Sequence, residues 1–393
     1  MNPDASTQLR RYLPGVNQSD PRPGMVELGP GYPDPALLPT DLMRHCASRA
    51  LERWGPQALG YGADAGPADL RRMLAARVAA TDGGRSRSAN VLVTAGTSAA
   101  LGQLAIRVAR EGRMLLTESL TYDLGRKIFQ EYGVRVRAVP GPLDDLDVGA
   151  VRRAALRAER DAGQPPVLYL VSTFHNPTGR VLSPARRTEL MTLAERLGLL
   201  VLDDLAYVDL SFGAPPPPPL HSCADDADRV VTLYSFAKCL APGVRVGWLV
   251  SGERTVAELA GDAVRRSGGG PNHLAVMAVS VACLEGHLDA RLAWLRGQLR
   301  IRRDALADGL AGLPDGYRPA EPGGGFFTWV GLPAGVDDRR LLREAEARGV
   351  SFALGRRFGA APRGVRLCFA AAGPDALRLG GARLCEAGLA IAD

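Results

Sequence analysis

The sequence predicts an α/β fold, with a large domain built on a mostly parallel sheet between helices and a smaller α+β domain after it. Between residues 90 and 250, short apolar segments alternate with helical patterns. Most of these segments are continuous apolar runs, as in strands that are buried on both faces. Beyond residue 313, strand-like and helical segments mix, which indicates a second and smaller unit.

The N-terminal part precedes the predicted sheet. Residues 1–39 are rich in Pro and Gly, and we expect them to form an arm that joins the small domain. Thr40 is predicted to cap a helix that Gly55 ends, and a second helix is predicted after Gly66-Pro67. The apolar face of that second helix consists of Leu70, Leu74 and Val78.

The large domain is predicted to cover residues 40–290, and the small domain residues 291–393. The predicted strands of the large domain are 90–94, 113–117, 134–139, 166–171, 199–202, 230–234 and 244–250. Its later helices are predicted at 98–110, 122–132, 148–160 and 184–197, the last of them capped by Ser183. After a helical region at 272–313, the small domain is predicted to have strands 326–330 and 365–369 and helices 337–348 and 375–390.

Composition and charge exclude several classes of protein. The chain has 393 residues, of which 46% are hydrophobic and 23% charged, as in a globular protein. Its net charge is +6 and no block of basic residues stands out, so we expect no nucleic-acid partner. The longest apolar run, residues 274–284, is too short to cross a bilayer, and the N-terminus has no signal-peptide core. We therefore expect a cytoplasmic protein without a membrane partner.

Two residue types carry more specific information. The six cysteines lie far apart, with neither a CxxC pair nor a Cys/His cluster, so we expect no metal site and no disulfide framework. Of the 48 basic residues, 46 are Arg and only Lys127 and Lys238 are Lys. Codon bias explains Arg wherever charge alone is needed, and chemistry that requires a primary amine is left with these two candidates.

Polar residues follow the predicted strands at the places where an α/β sheet binds ligands, beyond the carboxyl ends of its strands. Gly96, Thr97 and Ser98 open a helix after the first strand of the sheet, and helix N-termini bind anions, although the same residues also cap helices for structural reasons. Asn176-Pro177-Thr178-Gly179 follows strand 166–171 and is by itself a turn sequence.

The next two strand ends carry ionisable side chains. Asp204 and Tyr207 follow strand 199–202, where a carboxylate and a phenol can address two atoms of one ring. Ser235, Lys238 and Arg245 follow strand 230–234. A lysine at the end of a buried strand is unusual, and a buried amine loses its charge more easily and attacks carbonyl groups.

Together these strand ends describe one ligand. It has a phosphate, an aldehyde for Lys238, a ring nitrogen for Asp204 and a phenolic oxygen for Asn176 and Tyr207. The ligand with these groups is pyridoxal 5′-phosphate. Its phosphate would be held by Gly96, Thr97, Ser98, Ser235 and Arg245.

The sequence from Ser235 to Gly247, with Lys238 and Arg245, resembles the lysine signature of the class I/II aminotransferases, pyridoxal-phosphate enzymes of fold type I. Asn176-Pro177-Thr178-Gly179 resembles the Asn-Pro-x-Gly element of the same family, and further matches follow in the family's order over about residues 25–391. These further matches are Tyr61, Gly66, Leu70-Arg71, Gly96, Tyr122, Asp204, Tyr207, 323–329 and Arg366-Leu367.

The resemblance implies roles around the cofactor. Lys238 would form the internal aldimine and move the proton between Cα of the substrate and C4′ of the cofactor. Asp204 would keep the pyridine nitrogen protonated, so that the ring withdraws electrons. Asn176 and Tyr207 would hydrogen-bond the phenolate oxygen, and Tyr122 would stack on the ring.

The resemblance also implies substrate contacts and an assembly. Arg366 would pair bidentately with the α-carboxylate of the substrate, with Asn176 and Gly31 close to it. Tyr61 would reach the phosphate of a neighbouring subunit, which makes a homodimer with shared active sites the functional unit.

Three functions are compatible with these residues. The first is transfer of an amino group between an L-amino acid and a 2-oxo acid through ping-pong half-reactions. The second is a lyase, replacement, cyclase or decarboxylase reaction with the same cofactor contacts, because Leu120, Ala237, Cys239 and Leu354 depart from the family pattern. The third is the sensor domain of a transcription regulator, which we expect less because residues 1–35 show no helical pattern for a DNA-binding module.

Overall fold

The computed structural model describes residues 22–359 and 363–392, so most of the predicted arm lies outside the described residues. The first described strand, β1 (Val26–Glu27), pairs in parallel with Val350–Ser351. The described part of the arm therefore contacts a segment from the C-terminal part of the chain. The predicted domain boundaries at residues 40 and 291 stay predictions.

Seven strands form the central sheet, and they lie in the order β2-β8-β7-β6-β5-β3-β4. Neighbouring strands are parallel except at β8, which runs antiparallel to both β2 and β7. The prediction of a mostly parallel sheet of seven strands is confirmed. Its strands are β2 (Val91–Thr94), β3 (Leu115–Glu118), β4 (Val136–Val139), β5 (Val167–Leu170), β6 (Leu200–Asp204), β7 (Val230–Ser235) and β8 (Gly247–Val250).

Helices follow most of these strands, as the alternating pattern predicts. Ser183 caps its helix with a side-chain oxygen that accepts a hydrogen bond from the backbone N–H of Arg186. The helices of this part are α1 (Thr40–Trp54), α2 (Ala68–Ala79), α3 (Thr97–Arg110), α4 (Asp123–Glu131), α5 (Val148–Ala162), α6 (Pro184–Arg196), α7 (Glu253–Ala260) and α8 (His273–Leu284).

Two details of the predicted helices are wrong. Thr40 is the first residue of α1 rather than its cap, because Pro39 occupies the capping position and makes no side-chain hydrogen bond there. The helical region predicted at 272–313 is divided into α8 and α9 (His287–Gly309) by Gly286. Gly286 has a φ of +79°, a left-handed conformation that glycine adopts without steric cost and that ends α8.

The C-terminal part forms a second, four-stranded antiparallel sheet in the order β12-β13-β10-β9. One core cluster contains Leu74 of α2 together with Leu292 of α9, so apolar packing continues from the large part into the small one. The remaining elements are β9 (Arg318–Pro319), β10 (Phe327–Gly331), α10 (Asp338–Ala347), β11 (Val350–Ser351), β12 (Ala353–Leu354), β13 (Gly364–Cys368) and α11 (Pro374–Ala392). Among the described residues, no helix combines the length and the apolar character needed to cross a bilayer.

Candidate active site

Lys238 lies three residues beyond β7, next to the carboxyl end of β6 in the parallel part of the sheet. Its Nζ donates a hydrogen bond to the carbonyl oxygen of Gly31 at 3.0 Å. The same nitrogen lies 5.7 Å from the ring centroids of Tyr207 and Phe326. Burial lowers the pKa of Lys238 to about 8, so a substantial fraction of the amine is neutral and nucleophilic near that pH.

Asp204 is the last residue of β6 and is 4% exposed. Its Oδ2 accepts a hydrogen bond from the Tyr169 hydroxyl at 3.0 Å, and its Oδ1 accepts one from the Ala206 N–H at 3.1 Å. Burial raises the pKa of Asp204 to about 6. Such a carboxylate fits a protonated ring nitrogen, because an added positive charge offsets the unfavourable burial of its negative charge.

A second group of residues forms a cradle for an anion at the start of α3. Gly96 has a φ of +86°, and a Cβ at this position would lie 2.7 Å from Nη2 of Arg245. Glycine therefore lets the guanidinium approach the free N–H groups of the first turn, which begins with Thr97 and Ser98. Nη2 of Arg245 also donates to the Ala95 carbonyl oxygen at 3.2 Å. This combination of helix N-terminus and guanidinium fits a phosphate.

Arg366 lies on β13 and is 5% exposed. Its Nη1 donates to Oδ1 of Asn176 at 2.7 Å, and its Nη2 donates to the carbonyl oxygen of Gly29 at 2.6 Å. The guanidinium carbon lies 4.0 Å and 4.7 Å from the ring centroids of Phe327 and Phe358.

The buried Arg366 guanidinium lacks a carboxylate. Among residues 22–359 and 363–392, its hydrogen bonds go to Asn176 and Gly29, no Asp or Glu forms an ion pair with it, and its buried Nε has no hydrogen-bond partner. Burial lowers the pKa of Arg366, which reflects the cost of holding an uncompensated cation there. An incoming carboxylate offsets that cost, so the geometry fits the α-carboxylate of an amino acid.

Gly31 lies close to both the Lys238 amine and the Arg366 guanidinium. Its carbonyl oxygen accepts the hydrogen bond from Lys238, and a Cβ built on it would lie 3.9 Å from Nη2 of Arg366. The same Cβ would lie 3.1 Å from Cζ of Phe327, so a side chain at this position would crowd the Phe327 ring. The arrangement can hold the amino end and the carboxyl end of one small molecule.

Two predicted aromatic residues and Ser235 lie near Lys238 and Asp204. Tyr207 is 6% exposed and makes edge contacts with Phe326 and Phe327, at centroid distances of 5.4 Å and 5.5 Å. Tyr122 directly precedes α4, and its pKa is raised to about 12 by burial and by the charge of Asp204. Ser235, the last residue of β7, accepts a hydrogen bond from the Ala237 N–H at 3.1 Å.

Tyr61 is the predicted site residue that lies apart from this group. It is 90% exposed, and it lines a surface pocket of about 700 Å³ together with Arg265, Gly268 and His273. None of the other predicted site residues lines that pocket. The structure of one chain therefore does not bring Tyr61 together with Lys238.

The sequence matches the family described as aminotransferase class I and II over residues 35–379. The chain belongs to this family.

Relatives of this class I/II aminotransferase include enzymes and regulators. It is 32% identical to the 2-aminoadipate transaminase of Thermus thermophilus over 376 residues, 93% of this chain and 90% of that protein. It is also 31% identical over 343 residues to the uncharacterized HTH-type transcriptional regulator YisV of Bacillus subtilis, 86% of this chain and 68% of that protein.

A solved structure shows the same fold. The aminotransferase superposes with a TM-score of 0.84 on LysN, the alpha-aminoadipate aminotransferase from Thermus thermophilus, in complex with N-(5′-phosphopyridoxyl)-L-leucine. The two proteins are 30% identical, and the match covers 94% of this chain and 93% of the other. The prediction of fold type I is confirmed. The chain is a pyridoxal-phosphate-dependent aminotransferase, and nothing in these comparisons favours the alternative lyase chemistry.

Sequence reasoning missed a buried network behind the Asn176 turn of the aminotransferase. Glu118, at the end of β3, pairs with the Arg180 guanidinium and lies 3.3 Å from Nε2 of His175. Burial by itself would raise the pKa of Glu118, but the charges of Arg180 and His175 outweigh burial and lower it to about 2. His175 also contacts Oγ1 of Thr178 at 2.8 Å, so the network fixes both sides of Asn176. An acidic residue at the end of an apolar strand was the signal available in the sequence.

The sequence predicts no metal site, although one cluster among the described residues consists of side chains that can bind metal ions. His45, Glu285 and His287 each place a possible ligand atom within 4.8 Å of the others. Nη2 of Arg49 lies 3.7 Å from Oε1 of Glu285. A guanidinium at this distance already balances the carboxylate and repels an added cation, so we describe the cluster as an ion-pair group.

The raised pKa of Asp204 predicts a stability effect that depends on pH. Between about pH 4 and pH 6 the folded chain binds more protons at Asp204 than the unfolded chain, so its ionisation destabilises the fold at higher pH. We expect Asp204→Asn to stabilise the cofactor-free protein by about 2 kcal/mol at pH 8, because it removes the cost of ionising a group whose pKa is raised from 3.8 to about 6, while the changed hydrogen bonds offset part of that gain. The gain should nearly vanish at pH 4. Urea unfolding at both pH values measures it.

Asp82 provides a control of opposite sign. Burial by itself would raise its pKa, but hydrogen bonds from His221 and Ser86 outweigh burial and lower the pKa to about 2. Asp82→Asn should therefore destabilise the protein at pH 8. An Asp204→Asn variant that is destabilised at pH 8, or that is stabilised equally at both pH values, would contradict the assignment of Asp204 as a strained carboxylate.

Proposed function

We propose that this aminotransferase moves the amino group of an L-amino acid to a 2-oxo acid, with Lys238 and Arg366 as the two points that hold each substrate. The observation that carries the proposal is that Lys238 and Arg366 both lie close to Gly31. Amino and oxo acids share an α-carboxylate next to the reacting carbon. Both can therefore bind with the carboxylate on Arg366 and the reacting group at Lys238.

Bound pyridoxal phosphate supplies an aldehyde that condenses with amines and a ring that withdraws electrons from Cα of the donor. We assign Lys238 Nζ as the amine that meets this aldehyde and then carries the proton taken from Cα. The lowered pKa of Lys238 supports this assignment, because a base must be neutral to accept a proton.

The other side chains bind and orient. Asp204 would hold a proton on the ring nitrogen by its negative charge, and the Tyr169 hydroxyl fixes the carboxylate by a hydrogen bond to Oδ2. Asn176 and Tyr207 would address the phenolic oxygen, and Tyr122 would cover the ring. Gly96, Thr97, Ser98, Ser235 and Arg245 would hold the phosphate. These contacts are supported by the positions of the residues around Lys238.

Arg366 would orient the substrate. A planar guanidinium can form two parallel hydrogen bonds to a carboxylate, which fixes the direction of the bond between Cα and its hydrogen. The rings of Phe327 and Phe358 both lie against the guanidinium, and Asn176 accepts a hydrogen bond from one of its nitrogens. Because the same guanidinium serves donor and acceptor, the two substrates must bind in turn, as ping-pong kinetics require.

Borohydride labelling tests the assignment of Lys238. Borohydride reduces a bond between a lysine amine and pyridoxal phosphate to a stable one, so the purified protein should lose its yellow colour and gain a pyridoxyl group on Lys238. Mass spectrometry of a digest locates the label. Lys127→Ala should retain the label, because Lys127 is the other lysine of the chain and is exposed.

The same experiment has a clear opposite outcome. If Lys238→Ala still carried a reduced pyridoxyl group, the central assignment would be wrong. A screen of amino donors with and without 2-oxo acids, measured by mass, then tests amino transfer itself. Conversion of a donor only when an acceptor is present supports transfer, whereas conversion without an acceptor supports a lyase.

We also infer that the enzyme acts as a homodimer with shared sites. Tyr61 is exposed and lies beside the glycine-rich segment around Gly268, outside the Lys238 site of its own chain. The resemblance to the family assigns such a tyrosine to the phosphate of a neighbouring subunit. The two observations agree if a second copy brings its Tyr61 to this chain.

Hybrid dimers test the shared site. Lys238→Ala and Tyr61→Ala subunits, each weak alone at limiting cofactor, should form mixed dimers in which one site has both native side chains. Mixing them should then restore about a quarter of the wild-type activity, because half of the dimers are hybrid and each has one intact site. Absence of recovery in proven mixed dimers would contradict the role of Tyr61 in the partner's site.

A cytoplasmic location is part of the same proposal. All six cysteines are free, and five of them are buried. Free thiols are typical of proteins that stay in a reducing compartment.

A second role is favoured by one comparison. The similarity to YisV covers 86% of this chain, and that protein is named as a transcriptional regulator. A sensor that binds an amino acid through the same residues would not need turnover. Many turnovers per site with a donor and an acceptor support the enzyme, whereas a single stoichiometric half-reaction supports the sensor.

A further inference from the structure

One ion pair joins the large part of the chain to the small part beside the substrate site. Arg357 Nε pairs with the carboxylate of Asp123. Asp123 is the first residue of α4 and directly follows Tyr122, whereas Arg357 lies in the turn between β12 and β13. The Asp123 side chain is 4% exposed and the Arg357 side chain 46% exposed. The pair therefore lies at the boundary between the protein interior and solvent.

This ion pair is close to the guanidinium that would bind the substrate. Both charges act on Arg366, since Arg357 lowers the pKa of Arg366 and Asp123 raises it. Phe358, the neighbour of Arg357, stacks on Arg366, and its carbonyl oxygen accepts a hydrogen bond from the Thr121 N–H at 3.1 Å. Arg357 and Asp123 are thus within electrostatic range of a substrate on Arg366.

A second cation near the substrate could bind a second substrate carboxylate. In this chain the Arg357 guanidinium is already paired with Asp123, which is buried and fixed at the start of a helix. The distal carboxylate of a dicarboxylic amino acid would have to displace Asp123 from Arg357 and would then be repelled by it. A donor with a neutral side chain neither has to displace Asp123 nor is repelled by its charge.

We propose that Asp123 masks a second carboxylate subsite on Arg357, and that this ion pair selects donors with neutral side chains against 2-amino dicarboxylic acids. The selectivity rests on the proposed amino transfer with Arg366 as the α-carboxylate partner. In this account Asp123 and Arg357 are specificity residues, and they take no part in moving protons.

A neighbouring ion pair shows the difference between this arrangement and a structural one. Arg356, in the same turn, donates from Nε to Oδ2 of Asp338 at 3.0 Å and from Nη2 to Oδ1 of Asp337 at 2.9 Å. Both carboxylates belong to the start of α10 in the small part of the chain. Arg356 and Asp338 do not join the two parts of the chain, and they provide a matched control.

Charge variants test the proposal. For each variant, kcat/KM is measured for the dicarboxylic donors glutamate and 2-aminoadipate and for the neutral donors leucine and phenylalanine. Asp123→Asn leaves Arg357 without this carboxylate and should raise the ratio of dicarboxylic to neutral kcat/KM at least tenfold, mainly through KM. That change corresponds to about 1.4 kcal/mol of differential binding.

Two further variants fix the sign of the effect. Arg357→Gln leaves the negative charge of Asp123 and should lower the same ratio below that of the wild type. The double variant has no net charge at the pair and should return close to the wild-type ratio. Asp338→Asn should leave the ratio unchanged. Opposite shifts of the two single variants cannot arise from a general loss of stability.

Binding gives a readout that does not depend on turnover. Titration calorimetry compares glutarate with pentanoate, which differ by one carboxylate. Asp123→Asn should bind glutarate at least tenfold more tightly than the wild type, with little change for pentanoate, and the gain should shrink in 1 M salt.

The possible failures can be separated. If amino transfer is present and Asp123→Asn changes neither the kcat/KM ratio nor glutarate binding, the masked subsite is wrong and the proposed function stands. If no donor reacts with any variant, the proposed transfer fails. An Asp123→Asn protein that does not fold leaves the Arg357→Gln prediction as the test, and an unchanged ratio there overturns the proposal.

Discussion

The buried guanidinium of Arg366 is the constraint on which the rest of the site depends. It has no carboxylate partner among the described residues, although two backbone and side-chain oxygens and two aromatic rings hold it in place. A buried cation in this state is costly, and it becomes favourable when an anion binds. The fold therefore favours the binding of a carboxylate at Arg366.

The sheet positions the groups that face this cation. Parallel strands β5, β6 and β7 end at one edge, so the Asn176 turn, Asp204 and Lys238 meet there although they are far apart in sequence. Arg366 reaches the same edge from the small sheet. The proposed substrate contacts thus come from both parts of the chain, and the Asp123–Arg357 pair joins those parts.

Much of this arrangement could be predicted from the sequence. Apolar runs predicted all seven strands of the central sheet, and polar residues at strand ends predicted Asp204 and Lys238 as neighbours. The pairing of Asp123 with Arg357 and of Glu118 with Arg180 could not be predicted, because each pair joins residues from different segments. The break at Gly286 was missed because the flanking sequence keeps its helical pattern. The place of Tyr61 depends on a second chain, which one sequence does not describe.

The central claim is that Arg366 and Lys238 hold an amino acid at two points. The most direct measurement compares phenylalanine with phenethylamine, which lacks the carboxylate, in single-turnover reactions of the wild type and Arg366→Gln. The account predicts that the variant loses about 100-fold or more in rate constant per unit concentration for phenylalanine, as expected for a lost charged bidentate contact, and little for phenethylamine. Equal losses for both compounds, or no loss for phenylalanine, would contradict it.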